Sequence, residues 1–370
     1  MKFTEVIGQQ EIKEQFTQMI SNERMPHAQI FLGAKGSGKL ALAIAFAQFV
    51  LCENKQGEDS CGKCRACIKV NKFIHPDVHY SYPTVGSKMV STTFIKEWKA
   101  AVEENPYMNV NEWLNRLGAE NKQGNITKDE CHSIVKKLSL KTFEGKYKIL
   151  IMWLPEYLGK EGNRLLKLIE EPPDNTLFIL VAEHIEQILN TILSRCQLVK
   201  INALSDEEVQ SALVERQNVD EEKAFNAARL ANGNYNEAVR LMNSIENDNA
   251  KVFLDWFRIC YQGKGESMVE WVNTFSKTGR EGQKQLIIYA LHFLREFLAL
   301  KMIGDSYELR LQVAEAKTAQ NMIKILDHDQ VDKMMALFND VHYYIERNAN
   351  GKILFLDTSI RLHKIFRKKY

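Results

Sequence analysis

The sequence predicts an α/β domain with a parallel sheet, followed by a small helical lid and an all-α C-terminal unit. Three observations carry this expectation. The short apolar run Ile30-Phe31-Leu32 leads into Gly33-Ala-Lys-Gly36-Ser-Gly38-Lys39, and a long apolar helical pattern follows. That is the strand, glycine loop and helix order of a phosphate-cradling loop. Continuous apolar runs at 146–154, 177–182 and 198–201 then alternate with helical patterns, as in a parallel sheet covered on both faces. Beyond Ser205 every strong pattern is helical.

The elements follow in order. Ile12, Phe16, Met19 and Ile20 recur at helical spacing before the first strand. Residues 52–67 hold a cysteine cluster, and 81–125 read as an insertion with short helices near Phe94–Glu103 and Val110–Leu117, packed on the body by Trp98 and Trp113. Thr127-Lys-Asp-Glu130 is a capping box, so a helix is expected from Thr127 with Cys131, Ile134, Val135 and Leu138 inward. An amphipathic helix over Gly162–Glu171 should stop at Pro172-Pro173. Ser205-Asp-Glu-Glu208 caps the lid, which turns at Gly233. The domains are therefore expected at 1–203, 204–247 and 248–370. In the last, Leu286, Ala290, Leu291, Phe293, Leu294, Phe297 and Leu298 form one apolar face, continued by Met334, Leu337, Phe338 and Val341, and by Ile353, Leu356, Ile360 and Ile365. Such stripes serve an internal core or a contact with partner subunits.

Composition narrows the function classes. With 370 residues, 45% hydrophobic, 26% charged and only 7 prolines, the chain reads as globular and helix-rich. A net charge of +2 gives no global basic field to announce nucleic acid. No run reaches the roughly 18 apolar residues of a membrane helix, and the first residues lack a signal-peptide core, so a cytoplasmic location is expected.

Cysteines in that compartment stay reduced, and Cys52, Cys61, Cys64 and Cys67, spaced C-x8-C-x2-C-x2-C, can close a tetrahedral shell around Zn2+. Four thiolates leave no open position, so the expected role is structural, with His75 and His79 outside the shell. Cys131, Cys196 and Cys260 are scattered and read as structural thiols.

Departures from the loop pattern bear on chemistry. Gly33, Gly36, Gly38 and Lys39 are the candidate nucleotide contacts, with ATP or ADP binding left open. The hydroxyl that would hold Mg2+ after the lysine is replaced by Leu40. The Asp-Glu pair that ends the corresponding strand of a hydrolysing enzyme stands here as Pro155-Glu156.

FTEVIGQ, the loop at Gly33–Lys39, the cysteine knuckle, HPD, LLKLIEEPP and Ser194-Arg195-Cys196 occur in one order. That order resembles the AAA+ clamp-loader subunits of bacterial DNA polymerase III, most closely the delta-prime class, over residues 1–245. The resemblance implies a hetero-oligomeric ring of gamma/tau and delta-type neighbours joined by a helical collar. It also implies ATP bound between subunits and a sliding clamp placed on primer-template DNA. Arg195 would then act in trans on a neighbour's ATP, where a planar, permanently charged guanidinium suits the developing γ-phosphate charge. The competing reading of Arg195 is an internal salt bridge. The resemblance exposes two further departures: the γ-phosphate-sensing position falls at Ala182, and the sensor arginine at Asn236. Leu40, Pro155, Ala182 and Asn236 together imply a subunit that does not hydrolyse ATP. The alternatives are an active AAA+ motor of the gamma/tau kind, or a zinc-dependent nucleic-acid binder using Lys63, Arg65 and Lys69.

Overall fold

A five-stranded parallel sheet organises the first part of the chain in the computed structural model, which describes residues 1–368 apart from 23, 120–122, 244–248, 305–306, 308, 310, 312 and 348. The strands are β1 (Ala28–Gly33), β2 (Val78–Ser81), β3 (Lys148–Trp153), β4 (Thr176–Ala182) and β5 (Gln197–Ile201), in the order β2-β3-β4-β1-β5. β3 and β4 are buried along their whole length, as parallel strands covered on both faces must be. Leu32 pairs with Ala182, so β1 and β4 end side by side and the glycine loop begins next to Glu183.

Helices cover both faces. On one lie α1 (Gln10–Ser21) and α2 (Lys39–Leu51), where Phe16 stacks on Phe46 at 4.2 Å and on Phe31 at 5.0 Å. Every residue of α2 is buried, which explains its uniformly apolar sequence. Next come α3 (Arg65–Asn71), then α4 (Ile95–Glu104) and α5 (Val110–Arg116) of the insertion. On the other face, α6 (Lys128–Leu138) and α7 (Leu166–Glu170) bury Cys131, Ile134, Leu138 and Ile169 against alternate residues of β1, β3 and β4. Thr127 caps α6 by accepting from the Glu130 N–H at 3.1 Å.

Two local expectations change. Residues 155–165 form 3-10 turns, and only Leu166–Glu170 is α-helical, where a helix was expected from Gly162. Gly159 sits at φ 50°, ψ −136°, a conformation that breaks the helical run. The stretch HPDVHY contains the edge strand β2, which its four residues and mixed polarity do not announce.

β2 is entered through Asp77, whose carboxylate accepts backbone N–H groups from Phe143, Glu144 and Gly145 at 2.6 to 2.9 Å. Burial raises its pKa, but these three donors outweigh burial and hold it below the ordinary carboxylate value. Its stabilisation is therefore present above the unfolded value of about 3.9 and is lost as pH falls through the lower folded value. Asp77→Ala strips three part-buried N–H groups of the carboxylate that accepts them and is expected to cost about 2 kcal/mol, read by urea unfolding at neutral pH.

After α8 (Asn190–Leu193) and β5, the lid helices α9 (Asp206–Gln217), α10 (Glu221–Ala231) and α11 (Tyr235–Asn243) follow. Ser205 and Glu208 form the capping box, and Asn232 and Gly233, at φ 48° and 77°, make the turn into α11. The chain divides into two compact units, Met1–Val239 and Arg240–Tyr370. The expected lid–collar boundary at 247/248 includes residues outside those described.

The second unit is helical: α12 (Asn249–Gln262), α13 (Gly265–Phe275), α14 (Gly279–Ile303), α15 (Val313–Met322), α16 (His328–Glu346) and α17 (Gly351–Phe366). Leu286, Phe293, Leu294, Phe297, Met334 and Phe338 are buried in its core, so most of the apolar stripes pack internally. Ile353 and Ile360 are exceptions and stay exposed on α17. No helix among the described residues is long and apolar enough to cross a membrane.

Candidate functional site

The glycine loop between β1 and α2 turns through left-handed backbone. Gly36 and Gly38 take φ 70° and 84°, a region that residues with a side chain rarely adopt, and Lys39 opens α2. The lysine is 5% exposed, and its ammonium donates to the Ala34 carbonyl and to Glu183 Oε1, both at 2.9 Å. Glu183 follows β4 and is buried too, so the pair is shielded from solvent. Burial pushes the Lys39 pKa below its ordinary value, against the opposing pull of Glu183 and Glu156.

The positions that would serve magnesium chemistry are engaged otherwise. Leu40 is buried in the core, and Ala182 lies fully buried at the end of β4. Pro155 is buried as well. Glu156 turns its Oε1 to accept the backbone N–H groups of Glu183 and His184. Burial raises its pKa in spite of those donors. Asn236 is 4% exposed and donates to both carboxylate oxygens of Glu112 at 2.9 Å. The Tyr107 ring of the insertion lies over Gly38, where an added Cβ would come within 2.9 Å of it. Sequence reasoning missed Glu183, Asn105, Tyr107 and Glu112 as neighbours of the loop. The only readable sign was the capping box of Asn109 and Glu112, which marks a helix start and no destination.

The four cysteines come together as expected from their spacing. Their sulfurs all lie within 4.8 Å of one another, and Cys61 Sγ is 3.9 Å from Cys67 Sγ. A tetrahedron of sulfurs at the Zn–S bond length has an edge of roughly 3.8 Å, whereas a disulfide would hold them near 2.05 Å. The turn is shaped by N–H···S contacts: Cys61 Sγ accepts from Lys63 and Cys64 at 3.4 and 3.3 Å, and Cys52 Sγ accepts from Cys61 at 3.3 Å. Those donors lower the Cys61 thiol to about 6, while burial raises Cys52 and Cys67. The donor set thus fits a thiophilic ion such as Zn2+. His75 is buried against Glu144, its Nδ1 accepting from the Asp77 N–H at 3.1 Å.

Arg195 lies between α8 and β5 with its side chain 30% exposed. Its Nε donates to Glu170 Oε1 at 2.5 Å, and Nη1 donates to the Thr191 carbonyl at 2.5 Å and to Ser194 Oγ at 3.1 Å. The guanidinium is thus paired within its own chain and still reaches the surface.

A family model described as "DNA polymerase III, delta subunit" matches residues 8–205. Among curated relatives, the DNA polymerase III subunit delta' of Bacillus subtilis is 25% identical over 86% of this chain and 85% of its own length. The delta' subunit of Haemophilus influenzae is 26% identical over 78% and 75%. The tau subunit of Bacillus subtilis is 25% identical over 96% of this chain but 60% of its own length.

Proposed function

We propose, from the premise that this chain belongs to the DNA polymerase III delta-subunit family, that it is a delta-prime-type clamp-loader subunit that hydrolyses no ATP at its own loop. Its partners are gamma/tau and delta-type subunits, and through them the sliding clamp and primer-template DNA. Arg195 acts on ATP held by a neighbour, and the helical second unit joins the collar. Cys52, Cys61, Cys64 and Cys67 hold a structural Zn2+.

One observation carries the non-hydrolysing reading. Lys39 is engaged by Glu183 in a buried pair, while Leu40 and Ala182 offer no metal or phosphate ligand beside it. Hydrolysis in phosphate-loop enzymes depends on a metal that bridges the phosphates and on a group that orients the attacking water. Full-length chain incubated with Mg-ATP is therefore expected to give no turnover above buffer. Turnover that rises in proportion to chain concentration and co-purifies with it through two columns sinks this reading.

That outcome would promote the second reading, a motor subunit, which the alignment with a tau subunit over 96% of this chain keeps in view. The zinc-dependent nucleic-acid reading is weaker, because Lys69 is paired with Glu144 and no longer offers a free charge beside the knuckle.

A further inference from the structure

We propose that the segment spanning α4 and α5 is a latch that holds the lid shut on the phosphate loop, so that the nucleotide site of this chain is closed by its own side chains. The proposal rests on the non-hydrolysing reading and gives the inserted segment a role.

The latch is pinned at both ends. At the sheet end, Trp98 stacks on Tyr82 at 4.1 Å and meets Trp113 and Trp153 at 5.3 Å. Trp113 also donates its indole N–H to the Pro83 carbonyl at 2.7 Å. At the lid end, Asn236 of α11 donates to both oxygens of Glu112 from α5 and accepts from Asn105 Nδ2 just beyond α4. These bonds are partly buried around an Asn236 that is itself 4% exposed, so their loss leaves the Asn236 amide without partners away from solvent.

Between the two ends lies Tyr107. Its ring covers Gly38 and meets Tyr235 edge-on at 4.9 Å, and its hydroxyl accepts from the Ile7 N–H at 2.9 Å. The lid completes the closure. The Tyr235 N–H donates to the Gly36 carbonyl at 3.3 Å, and Asn234 Oδ1 stands 1.9 Å from where a Cβ on Gly36 would be.

In an occupied loop the lysine and the backbone N–H groups face phosphate. Here the Lys39 ammonium faces Ala34 O and Glu183, so a carboxylate of the chain itself supplies the negative charge. Nucleotide entry then requires three events: release of Asn236, displacement of Tyr107, and exchange of Glu183 for phosphate.

The test uses the full chain and two readouts, amide hydrogen exchange and binding of a fluorescent Mg-ATP analogue. Asn236→Ala, or the milder Asn236→Ser if alanine prevents folding, is expected to speed exchange across 36–39 and 235–239 by about tenfold or more. Tyr107→Ala should do the same across 36–39. Asn236→Ala combined with Glu183→Gln is expected to bind the analogue at least about tenfold more tightly than the wild type. Unchanged exchange in the Asn236 and Tyr107 variants, or wild-type binding as tight as that of the combined variant, overturns the latch. A failed latch in a chain without turnover leaves the non-hydrolysing reading standing, whereas turnover by the wild type sinks that reading itself.

Discussion

Arg195→Ala in the reconstituted loader is expected to cut ATP turnover at the neighbouring site by about a thousandfold or more, the range seen when an arginine finger is removed. The isolated chain should be unaffected in fold. The bonds of Arg195 to Glu170, Thr191 and Ser194 are solvent-exposed, and pairs of that kind contribute under about 1 kcal/mol. Arg195→Lys should not rescue, because a single ammonium cannot reproduce the forked geometry at a phosphate. Steady-state ATPase of the complex with clamp and primed DNA is the measurement, beside a melting curve of the variant alone. Turnover unchanged in the complex would reduce Arg195 to its bond with Glu170. Glu170→Gln is the companion variant: it removes the carboxylate charge while leaving the guanidinium available to a neighbour, so turnover should be kept.

Removing the metal from the cysteine knuckle is expected to be the largest perturbation of the chain itself. Zinc bound by thiolates contributes on the order of 10–16 kcal/mol in small zinc domains, and that free energy is folding free energy. The purified protein should carry one equivalent of zinc by elemental analysis, lost in Cys64→Ser. A strong chelator should release it, with faster amide exchange over 52–71 and a lower melting temperature. Asp59 carries the disturbance outward, since its carboxylate accepts from the N–H groups of Phe3 and Thr4 at 2.9 and 3.1 Å. Metal affinity should fall with falling pH, because each thiol must lose a proton to bind and protons compete for the same sulfurs. Stoichiometric zinc retained in Cys64→Ser would remove Cys64 from the shell.

The sheet was readable because its central strands carry unbroken apolar runs of several residues, and because a glycine loop between strand and helix has few other uses. The cysteine cluster was readable from spacing alone, since x2 turns bring thiols to one point. β2 was not: four residues with a histidine among them carry no period, and the strand is defined by its pairing with the distant β3, which no local pattern records. The helix expected over Gly162–Glu171 starts only at Leu166, since the residues before it close as 3-10 turns, whose three-residue period fits the same apolar spacing. The surroundings of the loop were the least legible. Leu40 and Ala182 show what is missing, but that Glu183 takes up the lysine and Glu112 holds Asn236 depends on pairings 144 and 124 residues apart, which no local pattern records.

The tryptophans give each half of the chain its own optical signal. Of the five, Trp98, Trp113 and Trp153 sit together in the first unit, and Trp256 lies flat on Trp271 at 5.0 Å and 6° in the second. Stacked indoles couple their electronic transitions, so each cluster adds its own contribution to the dichroism. Trp271→Phe would remove the contribution of the stacked pair and leave that of the first unit. Melting of this variant beside the wild type would then report whether the replication subunit comes apart in one step or in two.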